Sequence, residues 1–114
     1  MLSKKYRLTK NGSYSYLYSK GNRTSERAVK LCFVKSKNGV KIGFSVSNKI
    51  GKAVVRNKVK RRMRAIVGEV LPYVSPCQAV FVAMVGVDGF DYETLRAQLL
   101  SLLVKAGLLQ KENA

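Results

Sequence analysis

The chain has 114 residues, 46% of them hydrophobic, which is enough for one domain with a single small core. Lys and Arg number 22 against six Asp and Glu, giving a formal charge of +16 and a pI near 10.3. That balance is the electrostatic footprint of a nucleic-acid binder. There is no His, so general acid–base catalysis by the usual imidazole is excluded.

The N-terminal segment Met1 to Lys10 is too polar and basic for the apolar core of a secretory signal and reads as a basic arm. No uninterrupted apolar run approaches the roughly 20 residues of a membrane span. A cytoplasmic location with no membrane partner is expected. Asn11 or Ser13 then caps a short helix in which Tyr14, Leu17 and Tyr18 share a face, with Gly21 as its stop. At barely two turns this helix must be held by packing.

Two strand-like stretches follow, Ala28 to Lys35 and Val40 to Ser47, joined by the turn-forming Ser36 to Gly39. The first alternates through Val29, Leu31 and Phe33, the second through Ile42, Phe44 and Val46. An antiparallel hairpin is the simplest arrangement, and Asn22 to Arg27 offers a further short strand.

After Gly51 the period changes from two to 3.6. Val55, Val59, Met63, Ile66 and Val70 form one narrow stripe that ends before Pro72, while Arg56, Asn57, Lys58, Lys60, Arg61, Arg62 and Arg64 take most of the remaining circumference. Between Glu26 and Glu69 there are thirteen Lys and Arg and no acid, and eight of those cations lie from Lys49 to Arg64. Solvated helix faces usually mix Glu with Lys for support one turn apart. Here none is supplied, and the block reads as a rigid surface for a polyanion.

Ala79 to Val85 suits an interior strand, and Asp91 caps a last helix with Tyr92, Leu95, Leu99, Leu102 and Ala106 on one face, ended by Gly107. Asp88, Asp91 and Glu93 fit a turn and the negative charges favoured at a helix N-terminus better than a metal site. Cys32 and Cys77 both sit among apolar residues and read as reduced core thiols, too far apart in sequence for a common zinc site. No catalytic or metal-ligating side chains are assigned.

From Gly43 to Arg64 the wording becomes specific: Gly-Phe-Ser-Val-Ser-Asn-Lys-Ile-Gly-Lys, then Ala-Val-Val-Arg-Asn-Lys-Val-Lys-Arg-Arg-Met-Arg. This run closely resembles the signature of the protein subunit of bacterial ribonuclease P, in which a strand leads through a Lys-Ile-Gly turn into a helix bearing Arg-Asn-Arg. The resemblance extends to chain length and element order. It implies a single α+β domain over residues 1–114, an αβββαβα sandwich on a mostly antiparallel sheet with a left-handed βαβ crossover.

It also implies that Arg56, Asn57, Lys58, Lys60, Arg61 and Arg64, with Lys49, Lys52 and Arg62 beside them, face a catalytic RNA. Tyr14 and Tyr18 would line a cleft for the single-stranded 5′ leader of precursor tRNA, with Ala83 and Val85 at its floor. Lys58 stands where the family usually has Arg, Asn48 where Lys is common, and Met84 where a basic residue is often found. Hydrolysis would belong to the RNA and its magnesium, with no cofactor held by protein side chains. A helix-turn-helix DNA reader is disfavoured, because a strand and a Gly turn occupy the place of its first helix.

Overall fold

The computed structural model describes residues 11–37 and 39–111, with side chains from residue 16 onward; the basic arm Met1 to Lys10 lies outside them. In chain order the elements are α1 (Asn11–Lys20), β1 (Asn22–Ser25), β2 (Val29–Lys35), β3 (Val40–Val46), α2 (Ala53–Val70), β4 (Cys77–Ala83) and α3 (Tyr92–Lys105). This is the αβββαβα order, a mixed α+β domain on one four-stranded sheet.

The sheet order is β1-β2-β4-β3, so β2 and β3 do not form the hairpin that their adjacency in sequence suggests. Strand β4 lies between them, antiparallel to β2 with Lys35 opposite Cys77 and parallel to β3 with Val40 opposite Cys77. The reason is burial. β4 is the most apolar strand, with five of its seven residues buried, and a β2–β3 hairpin would leave that strand at an edge with its ladder groups unpaired. β3, α2 and β4 thus form the parallel crossover unit of the fold.

One face of the sheet carries Val29, Leu31, Ile42, Cys77, Ala79, Phe81 and Ala83, which pack with α2 and α3 into the main core. Phe44 stacks on its register partner Phe81 with ring centroids 5.8 Å apart. α2 brings Val59, Met63, Ile66, Val67 and Val70 to this core and α3 brings Leu95, Leu99, Leu102 and Leu103. The stripe read from sequence is the packed seam, with Val67 added and Val55 only half-buried.

The opposite face is covered by α1, whose Leu17 is fully buried against Cys32 and Val80. Gly21 closes this helix by close approach: a Cβ there would stand 2.6 Å from the Leu17 carbonyl oxygen and 3.2 Å from that of Phe33. The two free cysteines are buried on opposite faces, Cys32 under α1 and Cys77 in the main core. Burial pushes the Cys77 thiol up to about 11, so it stays protonated at neutral pH.

Candidate nucleic-acid interface

The basic surface is built from the turn before α2 and the outer face of α2. The Ser47 side chain accepts from the Lys49 backbone N–H at 3.2 Å and starts a short 3-10 turn, Asn48–Ile50, that is anchored by the buried Ile50. Arg56 then folds back over this turn. Its Nη1 donates to Asn48 Oδ1 at 2.7 Å and its Nε to the Gly51 carbonyl at 3.2 Å. Neither contact uses Nη2, so the clasp holds the guanidinium in place with donors left for an external acceptor.

No acid lies in the first turn of α2, and its N-cap Lys52 makes no side-chain capping bond. Lys49, Lys52 and Arg56 therefore surround the positive end of the helix dipole, an arrangement unfavourable by itself and relieved when an anion binds. At about 100° per residue the other cations spread around the helix. Asn57, Arg61 and Arg64 form the crest, Arg56 and Lys60 lie on the flank toward β3, and Lys58 and Arg62 lie on the flank toward α3. Asn57, Lys58 and Arg61 are exposed, while Arg56, Lys60, Arg62 and Arg64 are half-buried.

The acids go elsewhere. The ion pairs among the described residues, Arg96 Nε to Glu69 at 3.1 Å and Lys105 to Glu26, take their cations from α3. The Lys105 hydrogen bond, helped by Ser101, holds the Glu26 carboxyl below its usual range, and Arg96 with Tyr92 does the same for Glu69. Of the α2 cations only Arg62 leans inward. Its Nη1 donates to the Phe90 carbonyl at 3.4 Å, and its charge helps the Thr94 hydrogen bonds keep Asp91 low. Guanidinium forks and amines spread over the crest and both flanks of α2 suit phosphate oxygens, which accept bidentate and point-charge contacts alike.

A second surface lies across the sheet. With Leu17 turned inward, α1 exposes Tyr16 (53%) and Tyr18 (37%), and Arg23 donates to the Tyr18 carbonyl, tying β1 to the helix. Register places Ser25, Lys30, Val82 and Ser45 in one row across the four strands. Val82 packs beside Val80 on the α1 side, so this row lies on the face of the sheet that α1 covers.

The ribonuclease P family model matches residues 2–107. The chain is 31% identical over 111 residues to the ribonuclease P protein component of Streptococcus mutans, covering 96% of this chain and 93% of the relative. It is 34% identical over 113 residues to that of Syntrophomonas wolfei, covering 97% and 95%. The chain belongs to the ribonuclease P protein family. Its fold matches that of the Staphylococcus aureus RNase P protein with a TM-score of 0.86 at 25% identity, over 92% of this chain and 98% of that one. The Thermotoga maritima RNase P protein matches at 0.79 and 25% identity, over 87% and 96%.

Within this ribonuclease P family fold the structure gathers Lys49, Lys52, Arg56, Asn57, Lys58, Lys60, Arg61 and Arg64 on the 3-10 turn, the N-cap of α2 and α2 itself. Arg62 stands at the edge, engaged with the loop before α3. Tyr18 is 37% exposed, whereas Leu17, which the sequence groups on the same face, is buried; the side chain of Tyr14 lies outside the described residues. Ala83 requires correction. It is 1% exposed and shares its face with Phe81 and Ala79, so it points into the helical layer and cannot form the floor of a cleft beside α1. Side chains alternate along a strand, so it is the even-numbered Val82 that faces the α1 side. Val85 lies beyond the end of β4 in a turn and is 67% exposed. Tyr16 is exposed next to Tyr18, and Lys30 stands opposite Val82; neither was singled out from the sequence, although once Leu17 is the buried residue of α1, its neighbour Tyr16 must face out.

Proposed function

We propose that this chain is the protein cofactor of a ribonuclease P ribonucleoprotein, an endoribonuclease that removes the 5′ leader of precursor tRNA in the cytoplasm. The surface of α2 and its preceding turn docks on the catalytic RNA. The surface beside α1 holds the single-stranded leader, with Tyr18 and Tyr16 offering stacking faces worth about 1 to 3 kcal/mol per base. Hydrolysis belongs to the RNA and the magnesium it holds. The amines and guanidiniums of this chain suit phosphates rather than a metal cation, and their task is to screen phosphate repulsion and orient the leader.

The observation that carries the reading is the contrast within the charge map: acids are spent on α3, and the face of α2 carries cations whose natural counter-ions are phosphates. With roughly six phosphates neutralised, affinity should fall about a thousandfold or more between roughly 50 and 200 mM salt. The decisive experiment mixes the purified chain with its cognate catalytic RNA at low magnesium and follows leader cleavage. Stimulation supports the reading; no stimulation, or cleavage by the protein without RNA, overturns it. Arg61→Ala should weaken binding to the catalytic RNA, whereas Tyr18→Ala should cost affinity mainly for leader-bearing substrate. Equal losses on leaderless tRNA would refute the division between the two surfaces.

A further inference from the structure

The flank of α2 that faces α3 does something the crest does not. Lys58 and Arg62, one helical turn apart, stand over a cavity of about 190 Å³ closed on its far side by the 3-10 turn Val87–Gly89. Its floor is aliphatic, formed by Val55 and Val59 of α2, Val87 of the turn and Leu95 of α3. Three of these four are fixed in the core: Val59 is 5% exposed, Val87 1% and Leu95 1%. The Arg62 guanidinium is held over this floor by the Phe90 carbonyl. Asp88, exposed, forms the opposite lip.

We propose that this notch receives one unstacked nucleotide of the RNA on which α2 docks, with its phosphate on Lys58 and Arg62 and its base against Val55 and the aliphatic stems of those two cations, just above the buried Val59, Val87 and Leu95. The inference rests on the reading that α2 binds RNA and adds a site within that contact. Size argues for one unit of a polymer. Clefts that bury a free drug-sized ligand run to about 300 to 1,000 Å³, so this one is too small to hold such a molecule by itself. It suits a residue whose neighbours are already held on the crest of α2.

The chemistry of the lip narrows the base. An ionised carboxylate only accepts hydrogen bonds, so Asp88 repels a bare phosphate yet welcomes an amino group. Adenine, cytosine and guanine carry an exocyclic amine and uracil does not. The notch therefore selects an amino-bearing base, with selectivity arising at Asp88 and affinity at the two cations.

The test titrates the full chain, labelled at the Val and Leu methyls and at the backbone amides, with AMP, UMP and inorganic phosphate in turn, followed by NMR. AMP should move the methyls of Val55, Val59, Val87 and Leu95 and bind about tenfold tighter than UMP, the lower end for a hydrogen bond to a charged group. Phosphate should perturb Lys58 and Arg62 without moving the floor. Asp88→Ala should erase the AMP preference and let phosphate bind more tightly, an outcome that a purely structural role for Asp88 does not produce.

Floor methyls that ignore every nucleotide, an equal response to phosphate and AMP, or an AMP preference that survives Asp88→Ala would each overturn the proposal. These readouts are independent of leader cleavage. A chain that fails to stimulate its RNA but still binds AMP in the notch refutes the ribonuclease reading only, and the reverse result refutes the notch only.

Discussion

Helices α2 and α3 lie on the same face of the sheet and bury comparable aliphatic seams, yet their ends and outer faces follow opposite rules. α3 is built for stability. Asp91 caps it by accepting from the Thr94 N–H at 2.7 Å, Glu93 sits in its first turn and Lys105 in its last, all in the sense that favours the dipole. Its end is closed by Gly107 at φ +75, with Leu108 N–H donating to the Leu103 carbonyl and Gly107 N–H to that of Val104. That double bond with a left-handed glycine is the Schellman stop. α2 has neither a side-chain cap nor a first-turn acid, and it gathers cations where its dipole is already positive. Two helices under the same packing constraint differ only where solvent or a partner is the judge, so the departures on α2 mark function.

Truncating the seams tests what the two helices share. Met63→Ala on α2 and Leu99→Ala on α3, both 0% exposed, should each cost about 2 to 5 kcal/mol in urea denaturation. If α2 were held by something other than its seam, Met63→Ala would be close to neutral while Leu99→Ala remained severe.

The second, smaller effect sharpens the difference. Arg61→Glu on the crest relieves repulsion with Lys58 and Arg64 and should leave the free protein as stable or a few tenths of a kcal/mol more stable. The same change should weaken binding to the catalytic RNA and reduce its salt slope by about one. Lys105→Gln on α3 should do the opposite, costing about 0.2 to 1 kcal/mol through loss of the Glu26 pair while leaving RNA affinity unchanged. Matched signs in stability and binding for either variant would erase the distinction between the helices.

What was legible in sequence follows the same division. The α2 seam could be read because Val55 to Val70 recur at helical spacing, and the cationic outer side because no acid interrupts the Lys and Arg residues. The ends of α3 were announced by Asp91 and Gly107. Strand neighbours were not legible: alternation in β2 and β3 tells which side chains face the core but not which strand lies alongside, and β4 takes the middle because it has the most apolar surface to bury. Ala83 fell on the wrong side for a related reason, since one residue of register moves a side chain to the opposite face. The Arg56 clasp on Asn48 joins residues eight apart through a turn, a pairing no periodic pattern encodes.

The smallest effect concerns pH, and its sign is set by where the acids went. Hydrogen bonds from Lys105 lower Glu26, those from Arg96 lower Glu69, and those from Thr94 lower Asp91. A carboxyl lowered in the folded state binds its proton less readily there than in the unfolded chain. Its stabilisation is thus complete above the ordinary carboxylate range, near pH 4, and is lost as pH falls through the folded value. Stability should be flat from pH 7 to about 5 and decline below it. Asp91→Asn separates cap from charge, because Asn caps a helix about as well as Asp. The variant should be less stable than the parent at pH 7 and converge with it only once the pH has fallen through the lowered folded-state value of Asp91, where both side chains are neutral. A difference that stays constant across this range would show that Asp91 acts by geometry without its charge. α3 would then owe its stability to the same packing as α2, and the electrostatic contrast between the two helices would reduce to the cations of α2.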